Sequence, residues 1–106
     1  MNFKDKVVLV TGAGGGIGRA VSLIFAENGA KVAANALKPD DRQSGIITVD
    51  MIRKKGGDAV FIEGDISDRK TAEAIVKKTA ETFGKLDVLV NNAGIVIPGH
   101  LDNTTE

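Results

Sequence analysis

The amino-acid sequence predicts an α/β fold in which a parallel sheet lies between two layers of helices. Short apolar runs, β-branched or rich in alanine, alternate with segments of about 10 to 15 residues whose apolar side chains recur at helical spacing. Parallel neighbouring strands need a crossover of about that length. Glycines and polar turn residues separate the segments, so the predicted order of elements is β-α-β-α-β-α-β.

The first strand is predicted at residues 6–10, because this run is continuous, apolar and β-branched, as in a strand with helices on both faces. A helix follows the glycines after this strand, and Asn28 and Gly29 are predicted to end it. The alanine-rich residues 30–35 form the second predicted strand. Helical spacing predicts one buried stripe on the first helix, made of Ile17, Ala20, Val21, Ile24 and Phe25.

A polar loop at residues 37–45 precedes the second helix, which is predicted at residues 46–55. Ile46, Val49 and Ile52 share its inward face. Its last turn is basic, which suits the negative end of the helix dipole before the next pair of glycines.

The third strand is predicted at residues 59–63, and the fourth at residues 86–90. Between them, residues 65–68 form the turn into a third helix, which Gly84 ends. The inward face of this helix is predicted to carry Ile75, Val76, Thr79 and Phe83.

Composition excludes several classes of function. Fourteen basic and fourteen acidic residues cancel, so a broad attraction for nucleic acid or for an anionic membrane is not evident. The absence of cysteine excludes disulfides, thiolate catalysis and cysteine-ligated metal sites. No apolar run approaches a membrane span, and residues 1–6 are too polar for a signal peptide. We expect one domain, residues 1–106, in a soluble cytoplasmic protein without nucleic-acid or membrane partners.

The segment GAGGGIG, residues 12–18, joins the first strand to the first helix and has five glycines in seven positions. In such a turn, backbone N–H groups can approach a pyrophosphate without Cβ clashes, and the helix N-terminus adds a favourable dipole. A tight turn alone needs fewer glycines, so the pattern favours a phosphate site. The G-x-G-x-x-G fingerprint fails, because Ile17 and Arg19 stand where its third glycine would fall. No Lys-Ser or Lys-Thr pair follows the glycines, so a P-loop fails as well.

The residues that do fit are TGAGGGIG, 11–18, which resembles the T-G-x-x-x-G-I-G cofactor motif of the classical short-chain dehydrogenase/reductase family. GDIS at 64–67 resembles that family's adenine-contacting segment, and NNAG at 91–94 resembles its motif after the fourth strand. The three matches occur in order, each at the carboxyl end of a predicted strand. The resemblance covers essentially the whole chain and implies a three-layer Rossmann-type parallel sheet with strand order 3-2-1-4.

The resemblance implies NAD or NADP as the cofactor. The glycine turn would hold the pyrophosphate, Asp65 and Ile66 would bracket the adenine, and residues 92–94 would line the adenosine ribose, with Asn91 mainly structural. Taken without the family, Asp65 could equally cap the third helix, a role that the resemblance leaves to Ser67 or Asp68. The predicted cofactor-binding residues are Gly12, Gly14, Gly15, Gly16, Ile17, Gly18, Lys38, Asp65, Ile66, Asn92, Ala93 and Gly94.

The preference between the two dinucleotides is predicted from the end of the second strand. An acidic residue there binds the ribose 2′-hydroxyl and repels a 2′-phosphate. By the family's pattern this position is Ala36, so the repulsion is missing, while Lys38 lies within reach of a phosphate. These two residues predict a slight preference for NADP.

The resemblance also implies reversible hydride transfer between nicotinamide and an alcohol or carbonyl, without a metal. The family's catalytic serine, tyrosine and lysine have no counterpart here, since the sequence contains no tyrosine. We therefore expect the first half of such an oxidoreductase, and Asn103 with Glu106, typical of a helix start, favours truncation. The alternative is a short non-catalytic nucleotide-binding or assembly module. Either way, the apolar residues 86–90 and 95–97 would form an exposed edge, which predicts a homo-oligomer.

Overall fold

A computed structural model describes residues 2–36 and 41–92 of the chain. Strands and helices alternate through these residues, and the strands form one parallel sheet in the order β3-β2-β1-β4. The predicted α/β fold and the predicted strand order are confirmed. The elements are β1 (Val7–Thr11), α1 (Gly16–Glu27), β2 (Lys31–Ala36), α2 (Arg42–Lys54), β3 (Asp58–Glu63), α3 (Arg69–Phe83) and β4 (Val88–Asn91).

The core lies on both faces of the sheet, as the continuous apolar strands predicted. Every residue of β1 is buried. On one face, Val8, Val10 and Val32 pack with Val49 and Ile52 of α2 and with the partly buried side chains of α1. On the other face, a second cluster joins the sheet to α3. The sheet is therefore the middle of three layers. Within the described ranges, no helix is both long and apolar enough to cross a membrane.

The predicted buried stripe of α1 is wrong for three of its five residues. Ile17 is 72% exposed, Ile24 is 50% exposed, and Ala20 is exposed as well. The buried residues of this helix are Gly18 and Ser22, one helical turn apart. Small residues at this spacing let the helix backbone approach the sheet closely. Val21 and Phe25 of the predicted stripe are partly buried against the core.

Helix α2 begins at Arg42, four residues before the predicted start. Gly45, which marked the end of the predicted loop, lies inside the helix and is buried. A Cβ on Gly45 would lie 2.6 Å from the Phe61 ring, so this glycine permits close packing of α2 on β3. The inward face holds Val49 and Ile52 as predicted, while Ile46 is only half-buried.

Helix α3 agrees with its prediction at both ends. Asp68 is the N-cap and accepts a 3.0 Å hydrogen bond from the backbone N–H of Thr71, and Gly84 ends the helix in the left-handed conformation. Ile75 and Thr79 are buried on the inward face. The Thr71 hydroxyl also donates to the Asp68 carboxylate, and these two bonds hold the pKa of Asp68 below its ordinary value of 3.8.

A lowered pKa means that the folded state prefers ionised Asp68, so this cap stabilises the fold above the unfolded pKa and is lost as pH falls through the folded pKa. We expect Asp68→Ala to lower the urea midpoint at about pH 7 and to match the wild type at about pH 2. Asp68→Asn keeps a capping oxygen without titrating, so it should change less with pH. A deficit of Asp68→Ala that stays constant across this pH range would contradict the assignment.

Strand β4 pairs only with β1 among the described residues, so the predicted edge position is confirmed for this part of the chain. It begins at Val88, two residues later than predicted, and Asp87 before it bonds to the start of β1. The Asp87 carboxylate accepts from the backbone N–H of Val7 at 2.8 Å, and this bond is the main reason that its pKa is lowered. Residues 95–97 of the predicted edge lie outside the described residues.

Candidate functional site

The glycine turn connects β1 to α1 at the carboxyl edge of the sheet. Strands β2 and β4 flank β1, so the strand order reverses at this point, where open α/β sheets bind their ligands. Gly16 is the first residue of α1 and has a φ of +52°, in the left-handed region that favours glycine. A Cβ at Gly16 would meet nothing within 4 Å, so the space above the turn is open.

Gly18 brings α1 directly against the turn and the end of β4. A Cβ at Gly18 would collide with the carbonyl oxygen of Gly12 and would lie 2.9 Å from Nδ2 of Asn92. That amide donates a 3.2 Å hydrogen bond to the same Gly12 oxygen. Only glycine at this position lets the helix start, the turn and β4 meet. The first backbone N–H groups of α1 have no partner within the helix and can therefore serve a ligand.

Arg19 and Thr48 hold the other side of the turn and were not singled out from the sequence. The Arg19 guanidinium donates to the carbonyl oxygen of Gly14 at 2.7 Å, to that of Ser44 at 3.1 Å and to the Thr48 hydroxyl at 3.0 Å. Thr48, which is fully buried, donates to the carbonyl oxygen of Ala13 at 2.8 Å. The turn is thus fixed to α2 as well as to β4.

A cavity of about 290 Å³ opens beside the turn, and its walls are Gly12, Gly14, Gly15, Asp41 and Ser44. Three of the five lining residues are predicted cofactor-binding glycines. A larger cavity of about 410 Å³ lies at the opposite edge of the sheet, near the ion pair between Glu27 and Lys55. It contains none of the predicted site residues, so we place the candidate site at the smaller cavity.

The end of β4 joins the turn through two asparagines. Oδ1 of Asn91, which is half-buried, accepts a 3.0 Å hydrogen bond from the Thr11 hydroxyl. Asn92 is exposed and reaches Gly12. Asn91 thus bonds to Thr11 of β1, in line with the structural role predicted for it, and the amide of Asn92 lies beside the glycine turn. Ala93 and Gly94 lie outside the described residues.

Asp65 and Ile66 follow β3 at the same edge of the sheet, two strands from β1. The Asp65 carboxylate accepts from the backbone N–H and the hydroxyl of Ser67, at 2.9 and 2.6 Å. It therefore organises the turn into α3 but does not cap that helix. Ile66 packs partly against the core cluster beneath α3. Asp65 is exposed and Ile66 is half-buried at this edge of the sheet.

Asn35 supports this part of the site from inside the sheet and was read from the sequence only as a strand residue. It is fully buried, and its amide donates to the carbonyl oxygens of Ile62 at 2.9 Å and Gly64 at 3.2 Å. These bonds tie the end of β2 to the turn that precedes Asp65. Its Oδ1 has no partner among the described residues.

The remaining predicted residues are distributed as follows. Gly15 is the exposed N-cap of α1, and Ile17 projects from the first turn of this helix. Lys38 lies outside the described residues. The structure therefore brings the glycine turn and Asn92 together. Asp65 and Ile66 lie at the same carboxyl edge of the sheet, after β3, which is two strands away from β1.

Comparison with known proteins decides the family. A sequence profile described as short chain dehydrogenase matches residues 6–106. The chain belongs to the short-chain dehydrogenase family. An uncharacterized oxidoreductase of Thermotoga maritima is 56% identical over 106 residues, which are 100% of this chain and 40% of that protein.

Two solved structures of short-chain dehydrogenase type resemble the fold. A hydroxysteroid dehydrogenase from Escherichia coli aligns with a TM-score of 0.81 and 32% identity, covering 96% of this chain and 42% of that one. A short chain dehydrogenase from Mycobacterium avium aligns with a TM-score of 0.81 and 43% identity, covering 100% of this chain and 39% of that one. The chain thus spans about two fifths of the length of these three proteins.

Proposed function

We propose that this chain is the dinucleotide-binding portion of an oxidoreductase that interconverts an alcohol and a carbonyl by hydride transfer. One observation carries the proposal: an open glycine turn lies at the strand-order reversal of a chain of the short-chain dehydrogenase family. This family uses NAD(P). The three glycines that line the adjacent cavity are suited to a pyrophosphate, which backbone N–H groups and a helix N-terminus bind.

The proposed contacts with the cofactor lie in three places. The turn of residues 12–18 would hold the pyrophosphate, with Ile17 at the start of α1 beside it. Asp65 and Ile66 would receive the adenine, and Asn92 would line the ribose side together with Ala93 and Gly94. When bound, the nicotinamide supplies the hydride, and the protein residues here bind and orient the adenosine half.

The names of the similar proteins support the class of reaction and leave the substrate open. One is an oxidoreductase and another a hydroxysteroid dehydrogenase, and both names agree with chemistry at a hydroxyl or carbonyl carbon. The fold hosts many substrates, so we propose a small-molecule alcohol or carbonyl without choosing one. Homo-oligomer formation and a cytoplasmic location stay predictions. A non-catalytic nucleotide-binding module has no observation that favours it over the oxidoreductase.

The proposal is tested by titrating the chain with NAD, NADP and AMP in a calorimeter, alongside Gly16→Val. Valine is strained at a φ of +52° and would displace the turn, so we expect binding to weaken by about tenfold or more. Gly56→Val is the matched control, because Gly56 has a φ of +87°, has open space around it and lies at the opposite edge of the sheet.

We expect Gly56→Val to lose stability and keep its affinity. The proposal fails if none of the three nucleotides binds the wild type, or if Gly16→Val binds as tightly as Gly56→Val.

A further inference from the structure

Ala36, the last residue of β2, has no side-chain group that could bind the ribose of a dinucleotide. Ala36 is fully buried, and its carbonyl oxygen accepts a 3.0 Å hydrogen bond from the backbone N–H of Gly64. A methyl side chain neither binds a hydroxyl nor repels a phosphate. If one of the residues that the structure describes distinguishes NAD from NADP, that residue must therefore lie elsewhere than at Ala36.

Asp41 supplies a carboxylate to that cavity. It lines the cavity together with Gly12, Gly14, Gly15 and Ser44. Asp41 precedes α2 at the N-cap position, yet its side chain makes no capping hydrogen bond. Within residues 2–36 and 41–92, no hydrogen bond or ion pair engages this carboxylate, and the residue is exposed.

The two arginines near this cavity are bonded to protein oxygens. Arg19 directs its guanidinium at the carbonyl oxygens of Gly14 and Ser44 and at Thr48. Arg42, beside Asp41 in the sequence, forms a 2.6 Å ion pair with Glu63. The charge of Asp41 is therefore not paired by Arg42. A carboxylate accepts a hydrogen bond from a hydroxyl and repels a phosphate dianion.

We infer that Asp41 selects NAD over NADP, acting from the start of α2 in place of the carboxylate that β2 lacks. The inference rests on the proposed function and reverses the preference predicted from Ala36 and Lys38. In this arrangement Asp41 accepts a hydrogen bond from the 2′-hydroxyl of the adenosine ribose and disfavours a 2′-phosphate through its charge. The selectivity then depends on a residue five positions beyond the usual one.

The test compares AMP with adenosine 2′,5′-bisphosphate, and NAD with NADP, on the wild type, Asp41→Asn and Asp50→Asn. AMP and the bisphosphate report on the ribose wall without the nicotinamide half. Asparagine keeps an oxygen acceptor and removes the charge. Asp50 is exposed on α2 and does not line the cavity, so it controls for net charge.

We expect the wild type to bind AMP and NAD about tenfold or more tightly than their 2′-phosphorylated counterparts. Asp41→Asn should remove most of that difference in affinity, while Asp50→Asn should keep it. The part of the difference that comes from charge repulsion should be larger at low salt, whereas the part that comes from the hydrogen bond to the hydroxyl should be the same at low and high salt.

Tighter binding of the 2′-phosphorylated ligands by the wild type would overturn the inference, as would an unchanged affinity ratio in Asp41→Asn. Both results leave the proposed function standing, because nucleotide still binds. Absence of binding by all four ligands would instead overturn the proposed function together with the inference.

Discussion

Replacing Gly18 with alanine is expected to destabilise the fold by about 3 kcal/mol and to abolish dinucleotide binding. The added methyl would collide with the Gly12 carbonyl oxygen and lie 2.7 Å from its carbon. These are backbone atoms, so no side-chain rotation relieves the contact, and α1 must move away from the turn. Overpacking typically costs about 1–3 kcal/mol, and a collision with backbone belongs at the upper end.

Urea unfolding followed by circular dichroism measures the first effect, and calorimetric titration with NAD measures the second. Gly15→Ser is the matched control: Gly15 has an extended backbone with a φ of −166° and nothing within 4 Å of a Cβ, and serine is a favoured N-cap. Its stability should equal or exceed that of the wild type. If Gly18→Ala unfolds at the same urea concentration as Gly15→Ser, the close approach of α1 described here is wrong.

Arg19→Met is expected to cost about 2–3 kcal/mol of folding free energy and to loosen the glycine turn. Methionine keeps much of the aliphatic stem but removes the donors that the Gly14 and Ser44 carbonyl oxygens and the Thr48 hydroxyl receive. Partly buried acceptors left without a donor cost more than the net value of the bond itself. Because Arg19 holds the carbonyl oxygens of Gly14 and Ser44, and both residues line the cavity, the affinity for NAD should fall as well.

Arg69→Met is the control for Arg19→Met. Arg69 is 92% exposed and its 3.5 Å pair with Glu73 joins neighbouring turns of α3, so its removal should change stability by about 0.5 kcal/mol or less. Equal unfolding midpoints for the two variants would show that the bonds of Arg19 contribute no more than an exposed ion pair.

The sheet could be predicted from the sequence because the alternation of elements and the ends of the strands are local signals. The predicted boundaries of the elements were wrong where tertiary packing overrides a local sequence rule. Gly45 was predicted to end the loop, yet it lies inside α2, where the Phe61 ring leaves no room for a Cβ. The stripe of α1 failed for a related reason, since Gly18 and Ser22 rather than Ile17 and Ile24 face the sheet.

The candidate site was predictable only for the residues that carry a motif. The glycine turn and Asn92 were singled out and the structure brings them together. No role in the site was predicted for Arg19, Asn35 and Thr48, because their roles depend on partners far along the chain. Signals were present all the same: Asn35 interrupts an otherwise apolar strand, and Thr48 falls between Gly45 and Ile52 on a buried helical face. A polar residue at a core position is a sign of a specific partner.

The hydrogen bond from Asn92 to Gly12 joins residues 80 positions apart, and this has a consequence for the order of assembly. As the chain leaves the ribosome, the turn and α2 can come into contact early. The hydrogen bond from Asn92 to Gly12 can form only when nearly all of the described residues have emerged. Closing so long a loop costs entropy that local contacts do not. A coenzyme that binds only the completed turn then favours docking of β4 by mass action. Ligand binding and the docking of β4 thus stabilise each other.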